Sequence, residues 1–440
     1  MTTTAPTPRS TRIDLHRVPE SVVSASVLGL AVALWFARFP LANWLTAAAS
    51  LGVLLWYRGR RPGSVPRALV ALWALLAAGS GLGYLFSGGS LAGSYLLDLL
   101  PPVLLGSAIF CSGRLRTNLT GLLGGMAAGL AVSLLIAVVE ISTGFKLSVF
   151  TLPDGDLRTR IAHDPILTTA LFANFNDLSL GLAILVIIAT ALLLFSRLAA
   201  GAMLLTAGTA LTATVLIVLM GSRGALLALA AGLGLELVLA RRARHPGFVT
   251  PMRLAGGLVV LGAGAGLIWG TSFIQDTSTA SRERIFSAVV STMESFPVYA
   301  AVGFGTSQKY NGVMDVVVNA DDLLDPHNVM LELVVRYGAL GFLAVVGFWA
   351  VLCGWFLLHR PPTRDWRAVS LVTLLAVTPL MGIVPSSYLA YPYLNLAVIG
   401  CLACVRLALN DEQSAESAAI PRATGRQPSP RAPARGTKRA

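Results

Sequence analysis

The chain has 440 residues, of which 55% are hydrophobic and 12% are charged, and its mean hydropathy is +0.73. This composition excludes a soluble globular domain, because apolar runs recur along nearly the whole length. The net charge of +12 would suit a nucleic-acid-binding protein, but the positions of the basic residues favour membrane topology instead. The sequence therefore predicts an all-α polytopic membrane protein that does not bind nucleic acid.

About twelve apolar segments are long enough to cross a bilayer core of roughly 30 Å. They cover residues 21–37, 41–57, 68–86, 94–111, 119–141, 178–196, 199–220, 224–240, 254–273, 329–358, 368–384 and 388–409. These segments predict a transmembrane domain over residues 21–409, after a cytoplasmic segment at residues 1–20. Residues 410–440 are rich in Pro, Ala, Ser and Arg, which predicts a disordered basic tail near the inner leaflet.

The basic residues predict the orientation of these segments. With the N-terminus inside, 24 of the 33 Lys and Arg residues fall on the cytoplasmic side, as the positive-inside rule requires. One missed or extra helix would invert the side of every later loop. We therefore predict a multi-pass protein of the plasma (inner) membrane with both termini in the cytoplasm.

Two loops on the predicted outer side are long enough to carry a site. The first covers residues 142–177 and contains Arg158, Arg160 and His163 in a polar stretch. The second covers residues 274–326 and is expected to be partly helical. Because these loops are the longest polar segments between apolar ones, we expect the extracytoplasmic chemistry at or next to them.

Within the second loop, the spacing of apolar residues predicts an amphipathic helix on the membrane face. These residues are Ile285, Phe286, Val289, Val290 and Met293. Pro297 is expected to end that helix, and Gly303 and Gly305 predict a flexible turn after it.

The predicted outer side also carries an anion site. Arg223 lies in a short turn between two apolar helices, where a solvated arginine is not expected. The helices that begin at Gly224 and Pro326 both present their N-termini, with free N–H groups and the positive end of the dipole, to the outer face. Asp325 followed by Pro326 fits an N-cap and a first-turn proline, which predicts His327 and Asn328 in the first turn.

Three titratable residues remain open to two interpretations. His327 fits a hydrogen-bonded interfacial histidine as well as a catalytic base. Asp98 and Glu236 are the carboxylates nearest the middle of the membrane, where each fits either an ion-coupling site or a paired structural residue.

Four motifs of the chain resemble, in order and spacing, those of the O-antigen ligase and O-antigen polymerase superfamily of bacterial membrane glycosyltransferases. They are the asparagine pair in Phe172 to Asp177, the Ser-Arg-Gly turn in Gly221 to Ala225, the run from Arg282 through Phe286 and Pro297 to Gly303 and Gly305, and His327-Asn328 followed by Gly338 and Gly341. The chain departs from the family at Ala301, where glycine is common, and at Arg336, where an acidic residue is common.

The resemblance implies a GT-C-like fold that uses a polyprenyl diphosphate-linked glycan at the outer face, with a glycan or lipid as acceptor. It implies neither a metal nor another cofactor, so arginines neutralise the diphosphate. Arg223 and Arg282 are expected to bind this leaving group, and His327 to accept the proton of the attacking hydroxyl. The residues assigned to substrate binding are Arg284, as the alternative to Arg282, Asn328, Asn174, Asn176, Arg158, Arg160, His163 and Arg336.

A second class of function also fits a polytopic chain, namely a secondary transporter or a flippase of lipid-linked glycans. Such proteins place polar groups and broken helices near the midplane. Here most unexplained charges lie at the predicted outer ends of helices, which favours the enzyme. The sequence does not distinguish ligase from polymerase, because the two differ in acceptor.

Overall fold

The computed structural model describes residues 20–39, 41–58, 63–87, 94–147, 156–245, 277–318, 328–358, 365–383, 389 and 391–419. Within these residues the chain is all-α. The helices are α1 (Glu20–Phe36), α2 (Ala42–Tyr57), α3 (Arg67–Ser87), α4 (Tyr95–Cys111), α5 (Leu115–Thr143), α6 (Asp156–His163), α7 (Phe175–Phe195), α8 (Ala200–Leu219), α9 (Arg223–Arg244), α10 (Thr277–Ser295), α11 (Pro297–Val302), α12 (Ser307–Val318), α13 (Val329–Leu358), α14 (Trp366–Ala376), α15 (Thr378–Met381) and α16 (Tyr393–Ala419).

Eleven of the twelve predicted apolar segments coincide with helices, and the remaining one, 254–273, lies outside the described residues. In the described part, seven helices are long and apolar enough to cross a membrane: α3, α5, α7, α8, α9, α13 and α16. Three shorter helices, α1, α4 and α14, are also apolar. The chain is thus an all-α polytopic membrane protein.

Glycines bring several of these helices into close contact. Gly121, Gly125 and Gly129 of α5 recur every four residues and face α1, where a Cβ on Gly125 would lie 2.2 Å from the backbone oxygen of Gly29. Small residues at this spacing allow two membrane helices to approach through their backbones. The central helix of the bundle is α7, most of whose residues are buried.

Polar contacts pair the helix ends as the predicted alternation of spans requires. At one end, the start of α7 contacts the start of α9, and the start of α4 contacts the first half of α13 through Asp98 and Arg336. At the other end, Arg242 near the end of α9 donates to the carbonyl of Phe356 near the end of α13. Which end faces the cytoplasm stays a prediction from the basic residues.

The helices α10, α11 and α12 form a second apolar cluster beside α13. It contains Ile285 and Val289 of α10, which pack with Tyr299, Phe304 and Val335. The amphipathic helix is confirmed as α10. Ile285 and Val289 face other helices, whereas Phe286 is 50% exposed, and the placement of the helix on the membrane face stays a prediction. The periodicity reveals an apolar face, whereas the helices α11 and α12 that cover it are not visible in a local pattern.

The turn at Gly303 and Gly305 is tightly packed, in contrast to the flexible turn predicted from the sequence. Both glycines have positive φ, and a Cβ on Gly305 would lie 2.0 Å from the backbone nitrogen of Tyr84 in α3. Gly303 meets Gly338, whose φ of 65° interrupts α13. The turn is therefore held between α3 and the kink of α13.

The last helix extends further than the sequence predicts. α16 ends at Ala419, so residues 410–419 of the tail predicted to be disordered are helical. Asp411 in this extension forms an exposed ion pair with Arg116 at the start of α5. The rest of the tail and residues 1–19 lie outside the described residues.

Candidate site at the starts of α7, α9 and α13

The first turn of α7 is held by its own asparagine and aspartate. Asn174 is the N-cap residue, and its side-chain oxygen accepts a hydrogen bond of 2.9 Å from the backbone nitrogen of Asp177. Such a cap satisfies one of the free N–H groups at a helix start. Asp177 is buried and accepts a hydrogen bond from the hydroxyl of Tyr391.

The first turn of α9 is joined directly to that of α7. The hydroxyl of Ser222 donates to the side-chain oxygen of Asn176 over 3.0 Å. Ser222 occupies the N-cap position of α9 without a side-chain cap bond, because its hydroxyl is directed to Asn176 instead. Gly221 has a φ of 67°, which allows the sharp turn between α8 and α9. Arg223, the first residue of α9, is consequently held beside the asparagine pair.

Tyr391 is a central residue of this region that sequence reasoning missed. Its ring stacks on Tyr393, with centroids 5.1 Å apart, and on Phe172 at 5.9 Å. The guanidinium carbon of Arg38 lies 4.5 Å from the ring centroid, in cation–π geometry. The only sequence signal was the presence of three tyrosines between residues 388 and 393.

The start of α13 differs by several residues from the prediction. The helix begins at Val329 and Asn328 is its N-cap, with the side-chain oxygen accepting from the backbone nitrogen of Met330 over 2.8 Å. The predicted N-cap at Asp325 is therefore wrong, because Asn328 caps the helix. Residues 325–327, and with them His327, lie outside the described residues.

The start of α13 contacts described residues in and after α15. The backbone nitrogen of Val329 donates to the carbonyl of Gly382, the residue after α15, over 2.9 Å. Glu332 in the first turn of α13 accepts from the backbone nitrogen of Leu389 over 2.9 Å. α15 also packs against α9. Since Tyr391 binds Asp177, the described residues after α15 contact the starts of both α7 and α13.

Arg336 forms a buried ion-pair cluster with two carboxylates. Its guanidinium lies 2.9 Å from Asp98 and 2.9 Å from Glu332, and 4.8 Å from the ring centroid of Tyr95. The arginine and Glu332 are buried, whereas the side chain of Asp98 is 48% exposed. These contacts favour a structural role for Arg336 over the predicted substrate contact, because its charge is already balanced by the protein.

The two carboxylates predicted near the middle of the membrane differ in environment. Asp98 lies in the first turn of α4 and pairs with Arg336, which agrees with the second of its two predicted roles, a paired structural residue. Glu236 is fully buried on α9, and among the described residues its carboxyl oxygens have no hydrogen-bond partner.

The first outer loop is anchored by a buried lysine. Nζ of Lys146 donates to the carbonyls of Pro165 and Leu167, each over 2.9 Å. Desolvation lowers the pKa of this ammonium group, although the nearby carboxylates of Glu140 and Asp164 act in the opposite direction. The two hydrogen bonds of Lys146 therefore hold this loop.

The remaining predicted site residues are placed less fully. His163 is exposed at the end of α6, with Nδ1 2.7 Å from the carbonyl oxygen of Thr159. Arg158 and Arg160 belong to α6, but their side chains, like that of Arg282 on α10, lie outside the described part. Arg284 is exposed on α10. Among the described residues, no group of three His, Cys, Asp or Glu side chains is suited to hold a metal ion.

The fold and these contacts define a class: a polytopic all-α membrane protein with a polar site built from the starts of three helices. Residues 208–346, from α8 into α13, match the family model described as O-antigen ligase. This match covers less than half of the chain, and over these residues it confirms the predicted resemblance to the O-antigen ligase and polymerase superfamily. None of the curated proteins compared with the chain matches it.

Proposed function

We propose that the protein transfers or polymerises a polyprenyl diphosphate-linked glycan onto an acceptor hydroxyl at the outer face of the membrane. The observation that carries this proposal is the hydrogen bond between Ser222 and Asn176. It joins two motifs that lie 46 residues apart in sequence and holds Arg223 at a helix N-terminus. A guanidinium beside the free N–H groups of a helix start suits a diphosphate.

The proposed reaction needs a cation for the leaving group and a base for the acceptor. The acceptor oxygen attacks the anomeric carbon of the glycan, the bond from that carbon to the diphosphate oxygen breaks, and the polyprenyl diphosphate leaves with the bonding electrons. Arg223, together with Arg282 or its alternative Arg284, stabilises the charge that develops on this group. His327, which directly precedes the N-cap of α13, accepts the proton of the hydroxyl.

The proposed architecture has twelve transmembrane helices in a GT-C-like arrangement, with both termini cytoplasmic and the site extracytoplasmic. Its support is the pairing of helix ends. α9 ends beside the end of α13, at Arg242 and Phe356, whereas Ile285 of α10 belongs to the apolar cluster around Val335 in the first half of α13. This contrast supports a change of ends between residues 245 and 285, as the predicted span 254–273 requires.

A transporter or lipid-glycan flippase is the second candidate function, and Glu236 is the observation that favours it. A carboxyl group buried on a membrane-spanning helix is typical of ion-coupled transport. The enzyme proposal gives this residue no part in the reaction. Glu236→Gln, which keeps the shape of the side chain, therefore separates the two functions.

The decisive experiment supplies purified protein with a polyprenyl diphosphate-linked oligosaccharide, with and without an added glycan or lipid acceptor. A ladder without acceptor identifies a polymerase, and a single product that requires the acceptor identifies a ligase. The Glu236→Gln protein is expected to retain this activity. Movement of labelled lipid across vesicles without any transfer, lost in Glu236→Gln, would contradict the enzyme and support the transporter.

Removing the hydroxyl of Tyr391 is expected to reduce transfer. In Tyr391→Phe, the buried carboxylate of Asp177 no longer accepts a hydrogen bond from position 391. The contact between this position and the start of α7 is thereby weakened. A bond to a charged group contributes about 1.5–3 kcal/mol, so we expect a loss of kcat/KM of about tenfold or more. Kinetics with a fixed acceptor measure this loss.

Tyr57→Phe is the matched control, because its hydroxyl bonds Ser24 at the opposite end of the bundle. It is expected to leave transfer unchanged. Equal activity of Tyr391→Phe and the unmodified protein would show that the aromatic stack, without its hydroxyl bond, is sufficient to hold the site.

A further inference from the structure

An open, shallow cavity of about 440 Å³, lined by both polar and apolar residues, lies at the end of the bundle opposite to Arg223. It is bounded by the first turns of α1, α5 and α14. The 29-residue α5 is roughly 40 Å long at 1.5 Å per residue, and its far end binds the loop before α7 through Glu140 and Thr168. The cavity is therefore separated from the candidate site by the length of a membrane-spanning helix.

Two arginines line this cavity, and one of them is firmly held. Nη1 of Arg367 donates to the hydroxyl of Thr120 over 2.9 Å and to the carbonyl of Arg116 over 3.3 Å. Nε and Nη2 of the same guanidinium bind the two carboxylate oxygens of Asp365 at 2.8 Å each. Arg367 is thus fixed at the cavity wall, with its charge partly balanced by Asp365.

The second arginine, Arg116, is in an exchangeable ion pair. Nη2 lies 3.3 Å from the carboxylate of Asp411, and the side chains are 60% and 65% exposed. Exposed pairs of this kind contribute little to stability, because water screens them and two long side chains must be ordered. A stronger anion in the cavity is therefore able to replace Asp411 as the partner of Arg116.

The other residues that line the cavity indicate what kind of ligand fits it. Ser26 and Thr117 also line the cavity, beside Val22. On α1, next to this opening, Val23 is 49% exposed and Leu30 is 64% exposed, which continues an apolar strip along the helix. Charge at one end and an apolar strip beyond it suit an amphiphile with an anionic head.

We propose that this cavity binds the phosphate headgroup of an anionic membrane lipid, with Arg116 exchanging Asp411 for the phosphate. Arg367 and the hydroxyls of Thr120 and Ser26 surround the headgroup, and the acyl chains lie along α1. The shared chemistry is that of a phosphate monoanion, so inorganic phosphate is the alternative source of the ligand. This site is independent of the proposed glycan transfer.

The test uses the full chain in a neutral detergent and measures thermal unfolding and lipid retention by native mass spectrometry. Phosphatidylglycerol is expected to raise the Tm and to remain bound, whereas phosphatidylcholine and inorganic phosphate are not. Arg116→Gln is expected to weaken the apparent affinity for phosphatidylglycerol about tenfold or more, because one charge-assisted hydrogen bond to the phosphate is lost. Asp411→Asn, which removes the competing carboxylate, is expected to strengthen it.

Arg114→Gln is the matched control, since Arg114 is exposed two residues earlier and does not line the cavity. It is expected to bind the lipid like the unmodified protein. If inorganic phosphate raised the Tm as much as phosphatidylglycerol does, the ligand would be a free anion rather than a lipid, and the proposal would be overturned. If Arg114→Gln and Arg116→Gln weakened lipid binding equally, the phosphate would not depend on the guanidinium of Arg116, and the proposal would be overturned. Weaker lipid binding in Asp411→Asn would also overturn it, because Asp411 would then not compete with the phosphate.

Discussion

Arg223→Ala is expected to reduce glycan transfer by at least about a hundredfold, the loss seen when one preorganised donor to a developing anion is removed. The reason is geometric as well as electrostatic. The bond between Ser222 and Asn176 holds the turn before α9, so a guanidinium at position 223 has a defined place beside the start of α7. Arg223→Lys is expected to retain part of the activity, because an ammonium keeps the charge but loses the forked donors.

Initial rates per amount of monodisperse protein measure this effect. Arg244→Ala is the matched control, since it makes the same change on the same helix at its exposed other end. Activity of Arg223→Ala equal to that of Arg244→Ala would remove Arg223 from the site. Separate Arg282→Lys and Arg284→Lys variants then decide which of these two arginines takes part, because only the functional one is expected to slow transfer.

Arg336→Met is expected to destabilise the protein by about 3–5 kcal/mol, the usual cost of leaving a buried charge without its partner. The charge left behind is that of Glu332, which is buried on the same face of α13. Asp98→Asn is expected to cost much less, because the side chain of Asp98 is half exposed and can be solvated. Thermal or denaturant unfolding in detergent measures both variants.

Combining Arg336→Met with Glu332→Gln is expected to recover part of the lost stability, since the double variant no longer buries an unpaired carboxylate. A different result is equally informative. If Arg336→Met unfolds like the unmodified protein but loses transfer, then Arg336 contacts substrate, as its place in the sequence first suggested. If Asp98→Asn lowered the free energy of unfolding more than Arg336→Met does, the ion pair between Asp98 and Arg336 would determine stability rather than the burial of Glu332.

The sequence determined which segments form helices and how they alternate. A run of apolar residues that crosses a bilayer forms a helix, because its backbone N–H and C=O groups find no water to bind there. The positions of the arginines between such runs are likewise read directly from the sequence. The same local reasoning identified Arg223, Asn174 and Asn176 as candidate site residues and led to the superfamily that the match over residues 208–346 supports.

Only the tertiary structure decided which of these residues meet. The contact of Asn176 with Ser222, the bond from Tyr391 to Asp177 and the ion pair of Arg336 with Asp98 join positions 46 to 238 residues apart. Such contacts depend on how helices pack, and one helix's periodicity does not report its neighbour. For the same reason, the apolar face of α10 was visible in the sequence, whereas the helices that cover it were not.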